Sequence, residues 1–469
     1  MSVTVPNREA IIDEQALTEC LERATAPDAA RLRDLLDKAR ACAGLSRDEA
    51  AELMKIDGPA ATEMLFETAA EVKQRIYGNR IVLFAPLYVS NECIGNCLYC
   101  AFRSDNTELQ RRTLTPDEIS AEVRWLIEHG YKRLLLVYGD NPKTSVEHMI
   151  EGVEAVYRTH SGPGEIRRVN INAAPLSYED FCRLQPAGVG TYQVFQETYH
   201  VPTFEQAHPT GPKSNYDWRL TVWDRCLPAG LDDMGLGVLY GLYDWRWDTL
   251  ALLDHAGYLD RTYDVGPHTI SVPRLEPALN APWACNQPAP VDDDTFRKLI
   301  AIIRLAVPYT GMILSTRESP AMRRECMRLG ISQISAGSRV APGGYVQDAE
   351  READESQFTV GDCRPLDEVM HDLCDLGYLP SFCTACYRSG RTGQDFMSLA
   401  KPGEIHTFCL PNGLLTFKEY LLDYASPATR AVGETILQQH LQTVQPEHLR
   451  RKTEQRLKQL DEGQRDLYF

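Results

Sequence analysis

Six of the fourteen cysteines fall into two groups spaced as metal ligands are: Cys93, Cys97 and Cys100 as C-x3-C-x2-C, and Cys383, Cys386 and Cys409 as C-x2-C-x22-C. Three thiolates can hold three irons of a 4Fe-4S cube. The fourth iron then lacks a protein ligand, and an open coordination position is where a small molecule can bind and react. The other chemistry such spacing allows is structural zinc, which wants four ligands. None completes the first group locally, whereas His406 stands three residues before Cys409 and would complete a Cys3His tetrahedron in the second. The remaining cysteines (Cys20, Cys42, Cys182, Cys226, Cys285, Cys326, Cys363 and Cys374) occur singly, most of them in helical or apolar patterns where a thiol behaves as a small buried hydrophobe.

The elements that must position these groups follow from hydrophobic period. Residues 1 to 80 read as helices, with Ser46 and Glu49 as a capping box. From Arg80 onward, eight β-rich runs (81–90, 133–139, 167–175, 191–197, 234–242, 268–274, 311–317 and 333–339) alternate with amphipathic helical patterns such as TPDEISAEVRWLIEHGY. Eight β/α units in about 260 residues predict a closed (β/α)8 barrel of the TIM type rather than an open doubly wound sheet. After Arg339 the chain is loop-rich, forms a helix over LDEVMHDLCDLGY, enters the second cysteine group and ends in helices. The expected organisation is an N-terminal helical extension (1–80), a barrel (81–340) and a C-terminal helical cluster-binding domain (341–469). Cys93, Cys97 and Cys100 then sit just after strand 1, at the C-terminal mouth where barrel enzymes place their chemistry.

The formal net charge of −17, from 49 Lys and Arg against 66 Asp and Glu, repels a phosphate backbone and argues against a nucleic-acid partner. No apolar stretch is long enough to span a membrane, and the start MSVTVPNREA has no secretory pattern. A cytoplasmic protein is expected, where thiols stay reduced.

The first cysteine group, its place after strand 1 and Tyr99 before the third cysteine together resemble the radical SAM superfamily. That resemblance implies a 4Fe-4S cluster, S-adenosylmethionine (SAM) bound at its open iron, and a 5'-deoxyadenosyl radical. It also implies SAM contacts from a turn after strand 2, here Gly139-Asp140 where the usual residues are Gly-Glu, and from Glu197 at the end of strand 4 and Arg219 in the helix beginning NYDWR. The segments YVSNECIGNCLYC, KRLLLVYGD, GTYQVFQETYH, ISAGSR and CTACYRSGRTGQDFMSLAKPGEI further resemble the HydG family of radical SAM tyrosine lyases, over roughly residues 80 to 430.

The HydG resemblance implies cleavage of free L-tyrosine between Cα and Cβ into 4-cresol and dehydroglycine. The fragment is then converted to carbon monoxide and cyanide at an auxiliary cluster, for assembly of an FeFe-hydrogenase active site. The auxiliary cluster is a 4Fe-4S or five-iron assembly whose labile iron is held in part by a histidine and free L-cysteine. The matching histidine is His268, at the start of strand 6 and so at the barrel floor. Implied partners are a reductant such as ferredoxin or flavodoxin and other hydrogenase maturases. For the substrate, Arg317 and Arg339 at strand ends are candidate carboxylate clamps, with Tyr88, Ser315, Ser335 and Ser338 as neighbours. Two alternatives remain: a ThiH-type tyrosine lyase of thiazole synthesis with only a structural C-terminal metal, and a non-catalytic cluster carrier, which would leave the strand-end arginines without a purpose.

Overall fold

Each of the eight runs forms a strand in the computed structural model, which describes residues 5–347 and 355–469. The strands are β1 Arg80–Ser90, β2 Arg133–Tyr138, β3 Arg168–Asn172, β4 Val189–Gln193, β5 Met234–Gly237, β6 Thr269–Ser271, β7 Gly311–Leu314 and β8 Gln333–Ser335. All are parallel, each pairs with the next, and β8 closes on β1 from Val82↔Gln333 to Phe84↔Ser335. The result is the expected closed (β/α)8 barrel, whose crossover helices must lie outside it. Those helices begin on the caps their sequences offer: Thr115 accepts from Glu118 N, Ser145 from His148 N and Asp292 from Thr295 N.

Several strands stop short of their runs. The run over 191–197 ends as a regular strand at Gln193, although Val194 N and Gln196 N still donate to Gly235 O (3.1 Å) and Gly237 O (3.0 Å) and Glu197 bridges Val238. Two strand pairings have no periodic signal in the sequence. One is a small hairpin of His160–Ser161 with Gly164–Glu165. The other is β9, Leu379–Ser381, three residues containing a proline, which pair with the first residues of β1 through Arg80↔Leu379 and Val82↔Ser381. β9 leads straight into Cys383, so it hooks the second cysteine group under the N-terminal end of the barrel.

Glycines on the strands leave room for polar side chains inside the barrel. A side chain at Gly190 would fall 2.8 Å from both Arg168 Nε and Asn170 Oδ1, and one at Gly235 would fall 2.7 Å from Gln193 Cγ and Thr269 Oγ1. The wall is therefore built to admit buried polar groups.

N-terminal helices Arg8–Ile11, Glu14–Arg23, Ala29–Arg40, Arg47–Met54 and Pro59–Tyr77 pack on the outer barrel helices. The Ser46/Glu49 capping box forms, Arg47 pairs with Asp254 at 3.0 Å, and Lys298 Nζ donates to Met54 O at 3.0 Å. Beyond the barrel lie helices Leu366–Asp375, Gly393–Ala400, His406–Asp423, Pro427–Leu441 and Glu447–Asp461. The charged segment near the end is helical because Thr453, Leu457 and Leu460 give it one buried stripe. No helix among the described residues is long and apolar enough to cross a membrane.

Candidate active site

At the C-terminal mouth, the register of β1 against β2 shifts between Tyr88 and Ser90, and this irregularity re-aims the chain into the first cysteine loop. The loop is stitched to its surroundings by Ile94 N to Asp140 O (2.9 Å), Asn96 N to Thr210 O (3.1 Å) and Gly139 N to Ser90 O (2.9 Å). A side chain at Gly139 would meet Glu92 O at 2.2 Å, so only glycine lets the turn after β2 lie against this loop. Cys93 Sγ and Cys97 Sγ stand 3.6 and 3.9 Å from one point, the place a Cβ on Gly95 would occupy. Cys100 Sγ accepts a hydrogen bond from Gln357 Nε2 at 3.5 Å.

All three thiols line one chamber of about 220 Å³. Burial pushes Cys97 up to about 12 and raises Cys100, and neighbouring thiolates add to both shifts. Three thiolates crowded here therefore need a positive centre, which fits an iron-sulfur cluster.

The chamber also collects the residues singled out for SAM: Tyr99, Gly139, Asp140, Glu197 and Arg219. Glu197 is a non-glycine residue in the left-handed region (φ 72°), a conformation held by Leu239 N donating to its carbonyl at 2.9 Å. Arg219 Nε donates to Phe195 O at 2.6 Å, and its Nη2 lies 3.8 Å from Glu197 Oε1. Arg219 is not in the first helix after β4, because helix Val201–Ala207 comes between; it lies in Tyr216–Leu220. Lys213, which spacing did not flag, is closer to Glu197 than Arg219 is, with Nζ 2.5 Å from Oε1. Burial raises Asp140 against the lowering pull of Arg219 and Lys213. Tyr99 OH bonds His208 Nε2 at 2.8 Å, while His208 Nδ1 bonds Phe204 O at 2.7 Å. Since a carbonyl can only accept, Nδ1 carries the ring proton and the tyrosine hydroxyl is the donor.

Of the two candidate carboxylate clamps, Arg317 lines the chamber and Arg339 does not. Arg317 stacks on the Phe358 ring, 3.4 Å from its centroid. Burial lowers Arg317, opposed by Tyr88 and Glu276. Tyr88, Ser315, Ser335 and Ser338 line the same space, and Ser338 Oγ is buried without a hydrogen-bond partner among the described residues. Gln357 and Phe358 also reach it, from a stretch the sequence marks only as loop.

The second group is enclosed differently. Cys383, Cys386 and Cys409 line a cavity of about 10 Å³ with Arg80, Ser381, Ala385 and Asn412. Cys383 follows β9 with φ 52°, Cys386 opens the short turn Tyr387–Ser389, and Cys409 lies in the first turn of His406–Asp423. Cys386 is lowered to about 6, first by the neighbouring Cys409 thiol, with Arg391 and Arg168 reinforcing. The same neighbour, together with burial, raises Cys409 well above the usual thiol range. Burial opposes the charge on Arg80, but the nearby thiols outweigh it.

Arg80, Arg133 and Arg168 begin β1, β2 and β3, so three buried guanidiniums meet at the barrel floor. Arg168 Nη2 donates to Asp233 Oδ2 (2.8 Å) and Thr191 Oγ1 (2.9 Å), and Arg133 Nη2 to Gln333 Oε1 (2.9 Å). Arg133 Nε and Nη1 and Arg80 Nε are buried without hydrogen-bond partners among the described residues. Burial and repulsion from Arg168 push Arg133 down to about 9. So much unanswered positive charge fits an anionic cluster on the adjacent thiols.

His268 stands one residue before β6, in the same group. Its Nδ1 is 3.4 Å from Asp233 Oδ1 and its ring packs on Phe396 at 4.2 Å. Burial holds it well below the usual imidazole range, with Arg168, Arg133 and Arg80 adding to the effect. A neutral ring whose Nδ1 faces a carboxylate presents Nε2 as the lone-pair nitrogen, the arrangement of a metal-ligating histidine. Asp233 was not legible as its partner.

His406 does not complete a tetrahedron. It is exposed, its Nδ1 bonds Gly403 O at 2.6 Å, and it does not line the cavity of the thiols. A zinc ion gathers its sulfurs about 2.3 Å from one point. Among the described residues no three His, Cys, Asp or Glu side chains are gathered to hold a single ion.

Residues 87–256 match the Radical SAM superfamily model and residues 271–379 match the Biotin and Thiamin Synthesis associated domain. The chain is 34% identical to 2-iminoacetate synthase of Salmonella typhimurium over 352 residues, 74% of this chain and 89% of that protein. It superposes on a crystal structure of HydG, a maturase of the FeFe-hydrogenase, with TM-score 0.94 at 47% identity, covering 98% of this chain and 100% of the other. The structure of HydG from Carboxydothermus hydrogenoformans gives TM-score 0.83 at 37% identity, covering 97% and 100%.

Proposed function

The chain belongs to the HydG family of radical SAM enzymes, and from that premise we propose that it cleaves L-tyrosine at the barrel mouth and passes the two-carbon fragment to the floor. One observation carries this reading: two thiol triplets lie at opposite ends of the same strand, β1. Val82, beside β9, and Ser90, before the first cysteine loop, are roughly 26 Å apart at about 3.3 Å per residue.

When bound at Cys93, Cys97 and Cys100, the 4Fe-4S cluster supplies the electron that turns SAM into a radical source. The chain's own residues supply placement. Arg219 and Lys213 offer positive charge to the SAM carboxylate, while Glu197, Asp140 and the Gly139 turn receive its polar groups. Arg317 clamps the tyrosine carboxylate with its planar fork, and Tyr88, Ser315, Ser335 and Ser338 surround the amino acid. Enclosure keeps water from the reactive fragment. The floor arginines attract that fragment's carboxylate. Cys383, Cys386 and Cys409 hold the auxiliary cluster, with His268 and free L-cysteine on its labile iron. That iron is cargo, leaving with carbon monoxide and cyanide for the hydrogenase site, in concert with an electron donor such as ferredoxin or flavodoxin and with other maturases. The corresponding units are residues 1–80, 81–340 and 341–469.

The relation to 2-iminoacetate synthase favours a second reading, a lyase that stops at the fragment. Its alignment covers 74% of this chain, whereas the HydG structures cover 97% and 98%. Incubation with labelled tyrosine, SAM and dithionite separates the two. Cresol, carbon monoxide and cyanide together support the first reading, and cresol without the diatomic products overturns it.

A further inference from the structure

We infer that Gln357 is a positioning residue for the first cluster, donating a hydrogen bond to the Cys100 ligand and thereby raising the cluster's reduction potential. Its Nε2 lies 3.5 Å from Cys100 Sγ and its Oε1 accepts from Tyr88 OH at 2.7 Å. The amide is thus spanned between a cluster thiolate and a tyrosine on the chamber wall.

The orientation of this amide follows from the chemistry of its two neighbours. A thiolate bound to iron can accept a hydrogen bond but not donate one, so the NH2 end must face Cys100. The carbonyl end then faces Tyr88, whose hydroxyl has to donate. Backbone contacts fix the residue on both sides: Gln357 N donates to Val340 O at 3.0 Å, and Ala101 N donates to Gln357 O at 3.3 Å. Ala101 directly follows Cys100, so the glutamine is tied to the cluster loop through backbone and side chain. Phe358, the next residue, carries the Arg317 guanidinium on its ring.

Hydrogen bonds to cluster sulfurs are among the protein's levers on potential, because they stabilise the more electron-rich reduced state. Gln357 thereby eases the reduction on which radical generation depends. Tyr88 orients the amide, so part of its effect reaches the cluster through Gln357. This inference rests on the first cysteine group alone and is independent of what becomes of tyrosine.

The test is a redox titration of the reconstituted full chain, following the paramagnetic signal that changes when SAM is added. Gln357→Leu is expected to shift the midpoint to more negative potential. Gln357→Glu shifts it at least as far, by removing the donor and adding negative charge, and Tyr88→Phe shifts it the same way by less. An unchanged midpoint in Gln357→Leu carrying its full iron overturns the assignment. A second measurement needs no variant: wild-type protein labelled with 15N in glutamine side chains is expected to show a weak 15N hyperfine coupling on that signal. No such coupling would also overturn it.

Discussion

The two triplets present the same three sulfurs to opposite surroundings. At the mouth, Cys93, Cys97 and Cys100 ride a loop that faces a chamber of about 220 Å³ with mixed charges, Glu197 and Asp140 beside Lys213, Arg219 and Arg317. At the floor, Cys383, Cys386 and Cys409 share about 10 Å³ with Arg80, in a region where Arg133, Arg168 and His268 are all buried. Thiol number and spacing therefore do not decide what a site can do. The free volume and the sign of the surrounding charge do: room and mixed charge suit a zwitterionic amino acid and SAM, whereas a tight, positive pocket suits an anionic metal assembly and small anionic ligands.

The largest effect expected from this contrast is a split between products. Cys97→Ser should abolish both 5'-deoxyadenosine and cresol, while Cys386→Ser should leave cresol formation and remove carbon monoxide and cyanide; chromatography and gas trapping score both. Loss of cresol in Cys386→Ser with the first cluster intact would break the separation of the sites. Next, Arg317→Ala should lower kcat/KM for tyrosine roughly ten- to a hundredfold, the loss of about 1.5–3 kcal/mol for hydrogen bonds to a charged group. Arg339→Ala, outside the chamber, should stay within about threefold. Equal losses in steady-state kinetics would remove the preference for Arg317.

At the floor, Asp233→Asn should weaken iron held at His268 by roughly 10–100-fold, the usual size of such an outer-shell effect. Chelator competition measures this, with 5'-deoxyadenosine production unchanged. The smallest effect concerns the frame behind the mouth. Asp248 accepts from Thr198 Oγ1 at 3.0 Å and from Tyr199 N at 2.7 Å, just past Glu197, and burial pushes it up to about 7. A folded carboxyl raised above its unfolded value contributes stability fully below about pH 4 that is lost as pH rises through about 7. Asp248→Asn should flatten that slope in denaturant titrations, by on the order of a few kcal/mol across the window. An unaltered slope would mean Asp248 does not carry the pH dependence.

How much was legible depends on how far apart the informative residues lie. The barrel, the Ser46/Glu49 box and the cysteine triplets show in the sequence because periodicity, caps and ligand spacing are short-range patterns. β9 was missed because three residues with a proline have no period, and its pairing depends on β1 some 300 residues away. Lys213 and Gln357 looked like ordinary loop residues; Gln357 meets a cysteine 257 positions earlier in the chain.

The sequence by itself determined which chemistry was available: two sets of three thiols, a radical SAM loop after the first strand, and a barrel to carry them. Only the tertiary structure decided between equals, taking Arg317 over Arg339 for the chamber and leaving His406 exposed while burying His268 beside Asp233 and three arginines. The reason is geometric: strand-end and helix-start residues of the same type look alike in one dimension. Closure of the sheet selects which of them converge on a shared, water-poor space where their charges count.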